Sequence, residues 1–478
     1  MTPARQNPSD LMPGPGGNGS PRPATEPPVS TVGVDGVDGD PPGPPSTHRA
    51  GFWGWRVALA GAGTQMLVAG LVQHAYTNYS VLLREEFGWS ATLVAFGFAM
   101  NRLESGLLGP VQGWMIDRFG PRTVMRIGAV ILAIGLMGFS TLQNAVQFFL
   151  FYFVVAVGAS LAGFITVVTV VVNWFERRRS TALAVAQAGF PIGGVLTPAV
   201  VFCLTEFGWR RTAFGSAWVV LVAVLALSQV MHTRPSDLGQ EVDGGRPETG
   251  DGGTLGAGGH AGAVAERQRD FTVGEAVRTR AFWMLNLGHA TALLVVGSTM
   301  AHLAIYLTED QGFSLTGAGL LGTSLMLTQL VGQVAGGYFG DRMSKQRLVV
   351  GAMGGHVIGM VLFTFAVAPW MVWAFVPFHG LAWGVRGPLL QAIRADYFGA
   401  SSFGRIMGWS SLIMMLGTMS GPIIVGMVRD ATGSYTIGFT IITVGASLAT
   451  VFFLLAGRPS LPAADGAMAA GDGDGVSR

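Results

Sequence analysis

Twelve runs of about 20 predominantly apolar residues recur along this 478-residue chain, and each is long enough to cross a hydrocarbon core of roughly 30 Å as an α-helix. They lie at approximately 57–83, 90–116, 123–141, 146–173, 181–205, 212–232, 281–307, 316–340, 347–367, 371–397, 404–428 and 437–456. The expected fold class is therefore an all-α membrane protein with twelve transmembrane helices. Composition agrees: 12% of residues are charged, against about 25% in a soluble domain, so a soluble enzyme is excluded. The net charge of +2 offers nothing to nucleic acid.

Between the spans the sequence changes character. Residues 1–50 are rich in Pro, Gly, Ser and Asp, lack the apolar core of a signal peptide, and read as a disordered cytoplasmic tail. Residues 233–280 form a polar linker that divides the spans six and six, with a short amphipathic helix expected just before span 7. The expected units are thus a half at 51–232, the linker, a half at 281–456, and a second disordered cytoplasmic tail at 457–478. Arginines cluster after the even-numbered spans: Arg118, Arg122 and Arg126; Arg177, Arg178 and Arg179; Arg342 and Arg347 with Lys345; Arg394 and Arg405. The positive-inside bias puts those loops and both termini in the cytoplasm of a multi-pass cell-membrane protein. Lys345 is the only lysine among 71 glycines, a composition expected of a GC-rich bacterial genome. Cys203 is the only cysteine, so no internal disulfide forms.

The loop after span 2 reads "GWMIDRFGPR" and the loop after span 8 reads "GGYFGDRMSKQR". Asp117 and Asp341 are 224 positions apart, and the same offset joins Gly88 to Gly312, Ser90 to Ser314, Gly113 to Gly337, Gly193 to Gly417 and Pro198 to Pro422. One offset across so many landmarks makes the chain two parallel six-helix repeats. The second copy carries Gln346 where the first has Arg122, which makes it the weaker of the two.

These loops resemble the signature of the major facilitator superfamily over residues 51–456. The resemblance implies a gate at the cytoplasmic face built from Gly113, Asp117, Arg118 and Arg122, with Asp341 and Arg342 in the second copy. An Asp aimed at a neighbouring helix N-terminus gains dipole stabilisation there. "GFWGWRV" at 51–57 and "WFERRRSTALAVAQAG" at 174–189 further resemble the monocarboxylate porter and oxalate–formate antiporter branch. The sequence departs from that branch at Ala50, where an acid is usual. Span 8 carries no charge before Asp341, and span 1 has His74 where a lysine is usual.

Ionisable residues inside a membrane are costly and face a partner or a cavity. Arg386 falls near the centre of span 10, one of the four spans (1, 4, 7 and 10) that line the cavity in this superfamily. A buried guanidinium fork suits a carboxylate. His74, Asn78, His289, His302 and Thr169 lie on the other lining spans and complete the expected substrate set, with Thr166 beside them; His379 and His356 are weaker candidates. Arg102 and Glu104, two apart in span 2, face different sides of the helix. Each is expected in an inter-helix ion pair, or, for Glu104, as the carrier of a coupling proton. Gly-rich runs in spans 5 and 11 read equally as hinges and as close packing.

The expected function is secondary active transport of a small organic anion, a mono- or dicarboxylate, by alternating access coupled to a proton or a counter-anion. The alternative is an exporter of amphipathic or cationic compounds, with Glu104 as its deep acid. No cofactor, metal or enzymatic activity is implied, and the expected partners are the substrate, the coupling ion and lipid around a monomer.

Overall fold

The computed structural model describes residues 51–244 and 269–460, which belong to one body beginning at Gly51. Among these residues there is no strand. Twelve long helices follow one another: α1 Gly54–Phe87, α2 Ala91–Phe119, α3 Pro121–Phe139, α4 Ala145–Trp174, α5 179–207, α6 209–230, α7 Arg280–Asp310, α8 Leu315–Gly340, α9 Lys345–Thr364, α10 Pro369–Phe398, α11 Phe403–Thr432 and α12 Tyr435–Leu455. Gly208, at φ 77°, separates α5 from α6. Among the described residues, nine helical segments are long and apolar enough to cross a membrane. The shortfall falls at α2 and α10, which carry charged residues in their interiors, and at α5, which is interrupted at Ala188 and Leu196.

The repeat is visible in local chemistry. Ser90 caps α2 by accepting from Leu93 N–H, and Ser314 caps α8 by accepting from Gly317 N–H. The turn before each cap needs a left-handed residue, supplied by Gly88 (φ 67°) and Gly312 (φ 68°). Gly193 of α5 lies against the Met66 carbonyl of α1, while Gly417 of α11 lies against the Ala290 carbonyl of α7. The Gly-rich runs of α5 and α11 are therefore surfaces of close backbone approach. Two apolar cores form, one around Leu132, Phe148 and Trp174 that also takes in Phe403 and Met407 of α11, and one around Phe282, Phe363 and Phe439.

Several expectations change. α4 is not continuous: Gly163 breaks it, and Gln112 of α2 covers the freed Ser160 carbonyl at 2.7 Å. α1 passes through a π-helical turn at Ala69–His74. The linker is not free at its ends. Asp243 accepts from the Glu176 and Arg177 amides, and Asp270 accepts from the Ser401 amide. The short helix before α7 is present at Val273–Arg278, capped by Thr272 and Glu275. The disorder expected at 1–50 and at the end of the chain falls on residues outside those described, apart from 457–460.

Candidate functional site

The bundle holds two layers of polar residues, of which the first joins the halves. The first lies at the end of the bundle that carries the two repeated loops, here the motif end. Asp117, in the last turn of α2, pairs with Arg405 at the start of α11. Asp341, after α8, accepts from the amides of Ser180 at 2.8 Å and Thr181 at 3.0 Å and from the Thr181 hydroxyl at 2.5 Å. Those donors form the first turn of α5, whose orphan N–H groups and dipole favour a carboxylate. Arg179 of α5 adds an ion pair to Asp396 of α10 at 2.5 Å, and Lys345 meets the same carboxylate at 2.6 Å.

Glycine permits this approach. A Cβ on Gly113 would lie 2.5 Å from the Gly404 carbonyl, and one on Gly337 would lie 2.6 Å from the Ala184 side chain. Higher along the same helices, Gly109 meets Gly408 and Ser411, and the Ser411 hydroxyl reaches the Gly106 carbonyl. Among the described residues, the hydrogen bonds and ion pairs between halves lie between this contact and the motif end. At the opposite end Glu86–Arg210 and Arg429–Asp310 stay within one half each.

Not every residue expected at the gate takes part. Arg122 donates to the Gln229 carbonyl and side chain at the end of α6, inside its own half. Gln346, at the matching position, donates to the Phe453 carbonyl at the end of α12. The pair is one tether used twice, and Gln346 does not weaken the second copy; that copy makes the larger set of bonds across the halves. Arg342 folds back on the Tyr338 carbonyl and ring, and exposed Arg118 makes no hydrogen bond or ion pair among the described residues. The residues missed are Arg179, Ser180, Thr181, Asp396 and Arg405, of which Arg179 and Arg405 were read only as markers of topology.

The second layer lies near mid-height on α10. His379, Trp383, Arg386 and Arg394 recur at spacings of three, four and eight, which places them on one face. On an adjoining face Gly384 packs α10 against α8, since a Cβ there would lie 2.0 Å from the Gln329 carbonyl. Pro388 leaves the Gly384 carbonyl without its helical donor.

Arg386 is 1% exposed, and its Nε and Nη1 have no hydrogen-bond partner among the described residues. No carboxylate among the described residues pairs with it. Arg394, expected near a cytoplasmic loop, is instead 1% exposed inside the bundle. Its guanidinium donates to Asn286 at 2.9 Å, His289 Nδ1 at 3.0 Å and Gln391 at 3.1 Å. A guanidinium only donates, so His289 accepts at Nδ1 and carries its hydrogen on Nε2. Buried glutamines surround this layer, with unpartnered atoms on Gln65 of α1, Gln187 of α5, and Gln329 and Gln333 of α8. A search for charge in the spans passes over such neutral residues. The layer can accept an anion: it offers buried positive charge and the free Nε2 donors of Gln65 and Gln187, and no acid among the described residues.

The remaining candidates scatter. His74 bonds the Phe190 carbonyl at 3.2 Å and packs on its ring, and Phe190 faces Trp383 across the halves. Asn78 is half-buried one turn further along α1. His302 is held at both nitrogens, by the Pro422 carbonyl and the Tyr435 hydroxyl, and is a packing residue of α7. Thr169 bonds its own helix at Ile165 and lines a cavity of about 1850 Å³ at the motif end that does not include Arg386. The ion pairs expected of Glu104 and Arg102 do not form. Glu104 is buried and accepts only from Ser160 at 3.0 Å, while Arg102 lies over the Phe98 ring.

Comparison with known proteins now has a geometry to meet. At 24% identity the chain is similar to monocarboxylate transporter 13 of Bos taurus, over 85% of this chain and 88% of that one. Monocarboxylate transporter 11 of Homo sapiens is 26% identical over 88% and 85%. The oxalate:formate antiporter of Oxalobacter formigenes is 20% identical over 71% and 76%. Among solved structures, the proton:xylose symporter XylE superposes with a TM-score of 0.64 at 16% identity, over 84% of this chain and 95% of that one. The human organic anion transporter MFSD10 superposes with a TM-score of 0.59 at 16% identity, over 84% and 97%. The Major Facilitator Superfamily description matches residues 57–308 and 285–471. With twelve helices in two repeated halves, joined through the paired loops after α2 and α8, the chain is a multi-pass membrane transporter of the Major Facilitator Superfamily.

Proposed function

We propose that the protein is a secondary transporter of a small organic anion, a mono- or dicarboxylate, and that Arg386 is the group that holds it. The observation that carries this is Arg386 itself: a guanidinium 1% exposed, with two unpartnered nitrogens and no acid beside it. An uncompensated buried charge is destabilising by several kcal/mol, and a bound carboxylate supplies the missing partner in fork geometry. The names of the monocarboxylate, oxalate:formate and organic anion relatives support the same class. Asn78 on α1 and the Nε2–H of His289 complete the set of donors, while His74 gives its one N–H to the Phe190 carbonyl. His302 and Thr169, engaged elsewhere, leave it. The units at 51–232 and 281–456 rock about this layer, with a proton or counter-anion as the coupled species.

The motif end, with its arginines, faces the cytoplasm of a cell membrane, and both termini lie there. The conformation described is then closed to the cytoplasm, with Asp117–Arg405, Asp341–Thr181 and Arg179–Asp396 as its latch.

The test is counterflow of radiolabelled carboxylates into proteoliposomes, with affinity and apo melting temperature measured together for Arg386→Lys and Arg386→Gln. Loss of one charge-assisted contact is expected to weaken binding by about 1.5–3 kcal/mol, roughly ten- to a hundredfold. Lysine fails to rescue because an ammonium lacks the planar fork. Unchanged affinity with a lowered melting temperature rejects the substrate role and advances an exporter of cations built on buried, unpaired Glu104.

A further inference from the structure

We propose that His356 and His379 form a proton site that fills when an anion occupies Arg386, so that anion and proton move together. The proposal rests on the anion reading of Arg386 and names the coupled species and its position.

The two imidazoles are fully buried between α9 and α10, with Nδ1 facing Nδ1 at 3.1 Å. One hydrogen lies between those nitrogens. The donor ring must then hold a bare Nε2, and the acceptor ring must hold its hydrogen on Nε2. Both Nε2 atoms are buried without a partner among the described residues. The neutral pair therefore contains one vacant basic nitrogen, and the entering proton adds to the bare Nε2 of the donor ring.

Arg386 lies two turns from His379 on the same face of α10, about 10 Å by helical rise. No acid balances it. α4, α8 and α12 contain no charged residue, and those of α5, α7, α9 and α11 are at their ends. Phe375 and Trp383 of α10 pack on His379, and the charged group next along this face of α10 is Arg386. A proton on the pair adds a second positive charge beside an unneutralised guanidinium, and the site resists it. A carboxylate on Arg386 cancels that charge and admits the proton. By linkage the proton favours the anion to the same degree. Trp383, half-exposed and packed on both His379 and Phe190, lies between the pair and the interface of the halves.

The experiment uses the full chain in proteoliposomes with [14C]oxalate and [14C]lactate, membrane potential clamped, and two readouts. The first is counterflow at equal pH. The second is accumulation driven by an inside-alkaline gradient of one pH unit, expected to approach tenfold at one proton per anion. His379→Gln and the double variant with His356→Gln should keep counterflow and lose accumulation. Arg386→Gln should lose both. Counterflow retained in Arg386→Gln refutes the anion reading, whatever the histidines do. Accumulation retained in the histidine variants, or lost in Glu104→Gln alone, overturns the proton site, as does wild-type counterflow without accumulation. If the variants fail to insert, wild-type protein in a pH-indicator dye decides. Addition of oxalate should take up about one proton per site, and no uptake overturns the proposal.

Discussion

Asp341→Asn removes the charge at the start of α5 without changing side-chain shape. In the wild type one carboxylate oxygen accepts from Ser180 and the other accepts twice from Thr181. An asparagine keeps the first bond and turns an amide N–H₂ toward the Thr181 donors. Hydrogen bonds to a charged group contribute about 1.5–3 kcal/mol and neutral ones about 0.5–1.5, with a further 0.3–1 from the helix dipole. After a discount for the partial exposure of Asp341, the conformation joined at the motif end should lose about 2–3 kcal/mol, a population shift of roughly 30- to 150-fold. The assay is a distance distribution between spin labels at Arg178 and Met343, both exposed, in a Cys203→Ser background. A longer distance should gain population, equilibrium binding should stay near wild type, and counterflow should slow. An unchanged distribution together with unchanged counterflow would refute the latch.

Three further perturbations follow from contacts already described. Gly109→Ala places a methyl 1.7 Å from the Ser411 hydroxyl and 2.7 Å from the Gly408 carbonyl; overpacking of about 1–3 kcal/mol should part α2 from α11 and shift the same label distances. Arg122→Ala cuts the tether to Gln229 within one half, so melting temperature should fall slightly while the label distances stay fixed. Glu275 is held down to about 2 by Arg269 and by its bonds to Thr272. Its folded value is depressed, so its contribution to the Val273–Arg278 helix is present above pH 4.5 and is lost as pH falls toward 2; Glu275→Gln should raise amide exchange across 272–278 at neutral pH as acid does in the wild type.

Hydrophobic length made the twelve helices legible, because lipid leaves little else for such runs to do. Their observed ends differ from the expected ones by a few residues. The repeat was legible because its landmarks answer backbone demands that recur with the fold: left-handed Gly88 and Gly312, and the caps Ser90 and Ser314. Sequence gives a residue's height along a helix far better than its partner across the bundle. Arg394 was placed by height and read as a loop charge, yet the rotation of α10 turns it onto Asn286 and His289. The resemblance groups Arg122 with Asp117, yet the two point to different halves. The break at Gly163 was illegible for another reason: a glycine in an apolar run is ordinary, and only Gln112 beneath it shows that the freed carbonyl has a donor.

The two polar layers are built on opposite terms, and that difference divides their roles. At the motif end the residues that cross between halves are matched, acid to base or acid to helix N-terminus, on partly exposed side chains. Such bonds are individually modest and are replaced by water when the halves part, so they suit a joint that opens and closes. At mid-height the charges are buried and unmatched, and water cannot take over. The free nitrogens of Arg386 have no partner among the described residues, which is the basis for proposing that an anion from outside the protein supplies one. On the proposed reading, a carboxylate that neutralises Arg386 lowers the free energy of the closed centre, and the weak latch sets which side is then free to open.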